Sequence, residues 1–119
     1  MGHVWANTKV GNADLSRVVE VRALVDIGAT LTAILKSLAN ELSLRITGRS
    51  RVETGGAGGV IEADRSRAWV KIEGKGEIVP VLVSNMVDKV LIGVTTLEVL
   101  ELEVDPMTGK LRERTLLLY

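Results

Sequence analysis

The 119-residue chain has no cysteine and one histidine, His3. This rules out a thiol nucleophile, a zinc ribbon and a disulfide scaffold, and it argues against a histidine-dependent triad or a multi-histidine metal site. Chemistry then falls to carboxylates, hydroxyls, lysines or backbone groups. Three stretches stand out. Asp26-Ile27-Gly28 follows the apolar run Ala23-Leu24-Val25, which places a carboxylate at a tight turn where acid–base work is feasible. Gly55-Gly56-Ala57-Gly58-Gly59 puts four glycines in five positions, and Val90-Leu91-Ile92-Gly93 is an apolar run stopped by glycine. Each alone has an ordinary reading, as a turn, a loop tip and a core strand. Residues 54–60 do not form a phosphate cradle, because the G-x-G-x-x-G spacing fails and no Gly-Lys-Ser/Thr follows. Glu101, Glu103 and Asp105 alternate along one strand and read as a solvated face rather than a hard-cation site. No metal and no cofactor is expected.

The elements that must position these groups are mostly strands. Residues 17–25 are β-branched and partly alternating, so they predict a strand running into the Asp26 turn. Leu35, Leu38, Ala39 and Leu42 fall at i, i+3, i+4, i+7 and predict a short helix over residues 35–42. The glycines at 55–59 cannot be the interior of a regular element, and with strand formers on both sides they predict a hairpin tip. A second hairpin is expected over residues 68–83, turning at Gly74-Lys75-Gly76, with Pro80 at an edge or bulge. Residues 90–92 read as a strand covered on both faces, and Thr95-Thr96 as the cap of a helix over 97–102. Residues 102–104 and 110–112 flank a turn at 105–109, and residues 115–119 form an apolar terminal strand in want of a partner. Trp69 reads as core or interface mass.

The whole chain, 1–119, fits a single mostly β domain with one or two short helices. Fifteen basic and fifteen acidic residues cancel, which argues against a general nucleic-acid binder. Aromatic residues make up 3% with no Phe, too few for a base-stacking platform. The start lacks a signal-peptide pattern, and no apolar run approaches the ~18–20 residues a bilayer span needs. A cytoplasmic location with no membrane partner is the expectation.

Read in order, the three stretches resemble a known family. Ala23-Leu24-Val25-Asp26-Ile27-Gly28-Ala29-Thr30 is similar to the active-site signature of aspartic proteases. Val90-Leu91-Ile92-Gly93 resembles that superfamily's downstream apolar-Gly element, and Gly55 to Gly59 lie where its flap tip would be. The likeness spans residues 19–111 and is nearest to retropepsin-like proteases of the small cellular type found in archaea and bacteria. It implies a closed or partly open β-barrel with a glycine-rich flap hairpin, active as a homodimer on a peptide or protein substrate. Two carboxylates sharing one proton are needed. The chain has a single Asp-x-Gly, so the resemblance implies Asp26 as the catalytic residue of each subunit. It further implies that Gly28, Ala29 and Thr30 contact substrate, that Leu91 and Ile92 form pocket wall and support, and that Gly56, Ala57 and Gly58 fold over the peptide. The alternative is a weakly active or inactive dimeric peptide-binding module of the same fold.

Two positions depart from the family. Ile27 stands where the family has Thr or Ser, whose hydroxyl bonds across the dimer at the active-site loop. The departure predicts a looser dyad, a weaker dimer or both, so Ile27→Thr is expected to raise activity or dimer stability. An unchanged rate and dimer dissociation constant in that variant would refute this. Thr30 and Val94 occupy the positions of an acid–Arg pair common in viral relatives.

Overall fold

Period-two burial explains most of the backbone. In the computed structural model, which describes residues 3–55 and 58–118, strand β1 (Val4–Gly11) buries Ala6, Thr8 and Val10. Strand β2 (Val18–Val25) turns Val19, Val21, Ala23 and Val25 to the same core. Strand β3 (Thr32–Leu35) buries Thr32 and Ile34, and helix α1 (Lys36–Glu41) follows, burying Leu38 and Ala39. Strand β4 (Gly48–Glu53) pairs with the long β5 (Val60–Ile72), which pairs in turn with β6 (Lys75–Ser84). The two-residue β7 (Leu91–Ile92) leads into helix α2 (Val94–Val99), and β8 (Leu102–Val104) with β9 (Leu111–Glu113) makes a separate two-stranded sheet.

The seven-stranded sheet runs β1-β2-β7-β3-β6-β5-β4, and β1 also pairs with β5. The strands therefore close into a ring through β5, with β4 attached outside it. The β2–β7 and β3–β6 pairs are parallel, and the other strand pairs of this sheet among the described residues are antiparallel. Val10, Ile34, Leu42, Val70, Ile72, Val79, Val81, Ile92 and Leu100 are fully buried inside, each contributing ~1.5–3 kcal/mol of apolar burial. No helix among the described residues is long and apolar enough to cross a membrane.

The mostly β expectation holds, and several local expectations are corrected. Strand β1 has no counterpart in the sequence reading. Leu35 ends β3 instead of opening the helix. The second hairpin turns at Glu73-Gly74, both at positive φ (53° and 77°), the geometry of a two-residue primed turn. Gly76 lies inside β6 and is needed for another reason: a Cβ there would meet the Trp69 ring at 2.8 Å. Trp69 is half-buried against Gly76 rather than in the core. Helix α2 begins at Val94 with Gly93 as its cap residue, so Thr95 and Thr96 do not cap a helix at 97. Pro80 sits where β6 has only β5 beside it, since β3 begins pairing at Val81. Residues 115–118 form no strand among the described residues, and Tyr119 lies outside them.

Candidate active site

Strand β2 delivers Asp26 to the end of the parallel pair with β7. The Asp26 N–H donates to the Ile92 carbonyl at 2.9 Å and the Leu24 N–H to Val90 at 3.0 Å. The chain then turns sharply. The Ala29 N–H bonds the Asp26 carbonyl at 3.1 Å, and the Gly28 N–H bonds Asp26 Oδ1 at 3.0 Å. That second bond fixes the rotation of the carboxylate, which is half-buried at the mouth of a cleft.

The far side of the loop is tied to α2. Val94 and Thr95 N–H groups donate to the Ala29 and Thr30 carbonyls at 2.8 and 3.0 Å. Beneath them, the buried Thr32 hydroxyl accepts from the Gly93 N–H at 3.1 Å and shares a 2.6 Å bond with the Thr96 hydroxyl. A Cβ on Gly93 would come within 2.5 Å of the Leu31 carbonyl carbon, so only glycine allows this approach. The segments that carry Thr30 and Val94, the two positions of the missing charged pair, are thus joined by the Val94–Ala29 and Thr95–Thr30 backbone bonds over the buried Thr32–Thr96 hydroxyl pair.

The cleft has a volume of about 880 Å³. Asp26, Gly28, Ala29, Thr30 and Leu91 line it, five of the residues singled out from sequence. Ile92 does not; it is fully buried beneath the loop, where it supports rather than lines. The strand at 90–92 is accordingly not covered on both faces, because half-buried Leu91 opens to the cleft. Ile27 points outward and is 68% exposed. Gly58 is exposed at the hairpin tip and is not among the lining residues, while Gly56 and Ala57 lie outside the described residues. Thr54 closes the hairpin short of them, both its N–H and its hydroxyl donating to the Gly59 carbonyl at 2.9 Å.

Sequence reasoning missed the opposite wall and all of the floor except Leu91. Strand β4 contributes Ser50, Arg51, Val52 and Glu53, and the floor is a cross-strand row of Leu91, Ala33, Leu82 and Arg65. Only strand pairing reveals that row, since its members are up to 58 positions apart in sequence. No group of three His, Asp or Glu suited to a metal occurs among the described residues. The arrangement offers one oriented carboxylate at the end of an open trough with apolar and backbone walls. It suits acid–base work on an extended chain once a second carboxylate is supplied.

A family model described as aspartyl protease matches residues 7–96, well over half of the chain. No curated protein matches it. Among solved structures, the chain is similar to the EIAV protease complexed with the inhibitor HBY-793, with a TM-score of 0.61 and 19% identity over 83% of this chain and 88% of that one. It is also similar to the simian foamy virus (mac) protease in solution, with a TM-score of 0.57 and 18% identity over 79% of this chain and 91% of that one. A foamy viral protease-reverse transcriptase in complex with an RNA/DNA hybrid matches at a TM-score of 0.58 and 18% identity, over 81% of this chain and 12% of that one. At such identities the structural likeness is one of fold.

Proposed function

The chain belongs to the aspartyl protease family, with a retropepsin-like fold, and from that premise we propose that it is a homodimeric aspartic endopeptidase. The observation that carries the proposal is the oriented Asp26 carboxylate at the end of a peptide-sized cleft, in a chain with a single Asp-x-Gly. Two copies related by a twofold axis would bring two Asp26 side chains together. Like charges a few Å apart do not both ionise, so the pair holds one proton and titrates as a unit. The ionised carboxylate takes a proton from a bound water as its oxygen attacks the scissile carbonyl carbon. The protonated partner donates to the carbonyl oxygen. Collapse of the tetrahedral intermediate passes a proton to the amide nitrogen, and the C–N bond breaks.

Exposure supports the dimer. Ile27 at 68% and Leu116, Leu117 and Leu118 at 58%, 90% and 91% leave a set of large apolar side chains bare on one protomer. An isologous contact would cover them. Gly28 would offer its carbonyl to an extended peptide, with Ala29 and Thr30 beside it and Ile92 supporting the loop from below. The β4–β5 hairpin would act as the flap, with Gly56, Ala57 and Gly58 over the peptide backbone. Ala33, Leu82, Val87 and Leu91 line the cleft and favour apolar side chains around the cut.

The second reading, a peptide-binding module with little or no catalysis, draws on Ile27, which has no hydroxyl to brace the two loops. One comparison separates the two. Wild type and Asp26→Asn are incubated with a denatured-protein substrate from about pH 3 to 7, with the dimer verified by sedimentation. A bell-shaped rate profile lost in the Asn variant supports the endopeptidase. No cleavage at any pH by a verified dimer leaves the binding module.

A further inference from the structure

The floor of the cleft carries a single charge, and it is the feature that the catalytic reading leaves unused. Four strands contribute one side chain each to a row: Leu91 is registered with Ala33, Ala33 with Leu82, and Leu82 with Arg65. All four line the cleft. Beyond Arg65 the next registered residue is Gly48, where a Cβ would meet nothing within 4 Å. The row therefore runs apolar, apolar, apolar, cationic, and then opens.

Arg65 is exposed, with its backbone pinned to Thr47 and its guanidinium bonded to one side chain. Its carbonyl accepts from both the Thr47 N–H at 2.7 Å and the Thr47 hydroxyl at 3.2 Å, and its guanidinium reaches the Ser50 hydroxyl at 3.3 Å. No carboxylate among the described residues pairs with it. The adjacent Arg49, by contrast, is paired with Glu62 at 3.2 Å and with Asp64 at 3.6 Å. The β4 wall beside the floor carries Arg51 and the acidic Glu53, and Glu53 is registered with Val60 at the other end of β4, five residues along from Gly48. At ~3.3 Å per residue that is about 16 Å away. An accessible guanidinium, planar and with several donors, is suited to a carboxylate.

We infer that Arg65 makes the outer end of the cleft a subsite for an acidic side chain of the peptide substrate. The inference rests on the proposed endopeptidase, whose substrate it narrows. Three interstrand spacings separate Leu91 from Arg65, about 14 Å. An extended peptide covers that with about four residues, and the side chains it turns to one face alternate. The preferred substrate has apolar residues at the cut and Asp or Glu about four residues away. In a twofold dimer the same requirement applies on both sides of the cut.

The test uses fluorescent peptides with a central apolar pair joined by a reduced, uncleavable bond, carrying Glu, Gln or Lys about four residues from it on each side. Binding is measured by anisotropy to wild type, Arg65→Gln and Arg65→Glu, and the same peptides with an ordinary bond are assayed for cleavage. Wild type is expected to bind the Glu peptide about five-fold more tightly than the Lys peptide, a preference that about 0.5 M salt diminishes. Arg65→Gln should remove the preference and Arg65→Glu should invert it. The Gln variant keeps the test decisive should the Glu variant fold poorly. Equal Glu/Lys ratios in wild type and the Arg65 variants overturn the subsite. A charge preference in binding without cleavage by wild type upholds the subsite and overturns the endopeptidase. Cleavage without any charge preference does the reverse.

Discussion

The Asp26 loop and the carboxyl-terminal segment are both irregular backbone, yet the protomer treats them in opposite ways. From Asp26 to Thr30 the loop is tied to Ile92, Val94 and Thr95 by backbone bonds and braced internally by Gly28, over a buried Thr32–Thr96 pair. After the Arg114 N–H bonds the Glu101 carbonyl, residues 115–118 have no strand pairing, and Leu117 and Leu118 stand 90% and 91% exposed. Loops are ordered by what lies beside them, not by their own propensity. The backbone bonds of the site loop are satisfied within one chain, whereas the tail leaves its apolar side chains bare. Fixing of the Asp26 loop and exposure of the tail thus lie in separate stretches and can be perturbed separately.

The strongest way to break the contrast is Gly93→Ala. Its new Cβ meets the Leu31 backbone, which cannot rotate aside as a side chain would. The variant should lose about 2–3 kcal/mol of stability, read as a shifted urea midpoint, with activity falling as the loop moves. A wild-type midpoint would mean that the loop is held by something else.

A tail doubly substituted at Leu117→Asp and Leu118→Asp sharpens the contrast from the other side. On the dimeric reading, sedimentation should show the dimer dissociation constant raised by at least about a hundredfold. Unfolding of the dilute protomer should stay within about 0.5 kcal/mol of wild type. Loss of protomer stability instead would place the tail in the chain's own fold.

The smallest effect concerns the turn just before the tail. The Met107 N–H on Asp105 Oδ1, helped by the Arg112 guanidinium, holds that carboxyl below its ordinary value of 3.8. A depressed carboxylate stabilises the fold above the unfolded value, and this contribution disappears as pH falls below it through the folded value. The Met107 and Gly109 amide resonances, followed by NMR, should therefore shift below about pH 4. A turn that does not respond to acid would show that the hairpin is held by its strands alone.

Much of this was legible in the sequence where the signal is local. The strand ending at Asp26, both glycine-marked hairpins and the β8–β9 pair follow from alternation and turn chemistry. Strand β1 is not legible because Thr8, a polar residue, fills one of its four buried positions and so blurs the apolar alternation. Strand β3 is four residues long and is fixed by parallel pairing with β6, 49 positions away, so the helical spacing of Leu35 with Leu38 dominates locally. Helix α2 was placed late because Thr96 reads as a cap in isolation, whereas its hydroxyl is engaged by Thr32 in the interior. Arg65 as a cleft residue was out of reach, since no periodicity tells which strand lies beside which.

Strand β5 also has mechanical consequences. Residues 69–72 are gripped by β1 on one edge and β6 on the other, residues 66–68 by β6 alone, and residues 60–63 by β4 alone. It is a cantilever rooted in the ring, with the hairpin as its free arm and no glycine between Val60 and Ile72 to serve as a pivot. Deflection is then spread along the arm as elastic bending, stiffening toward the root. Amide exchange should slow from Ile61 toward Val70.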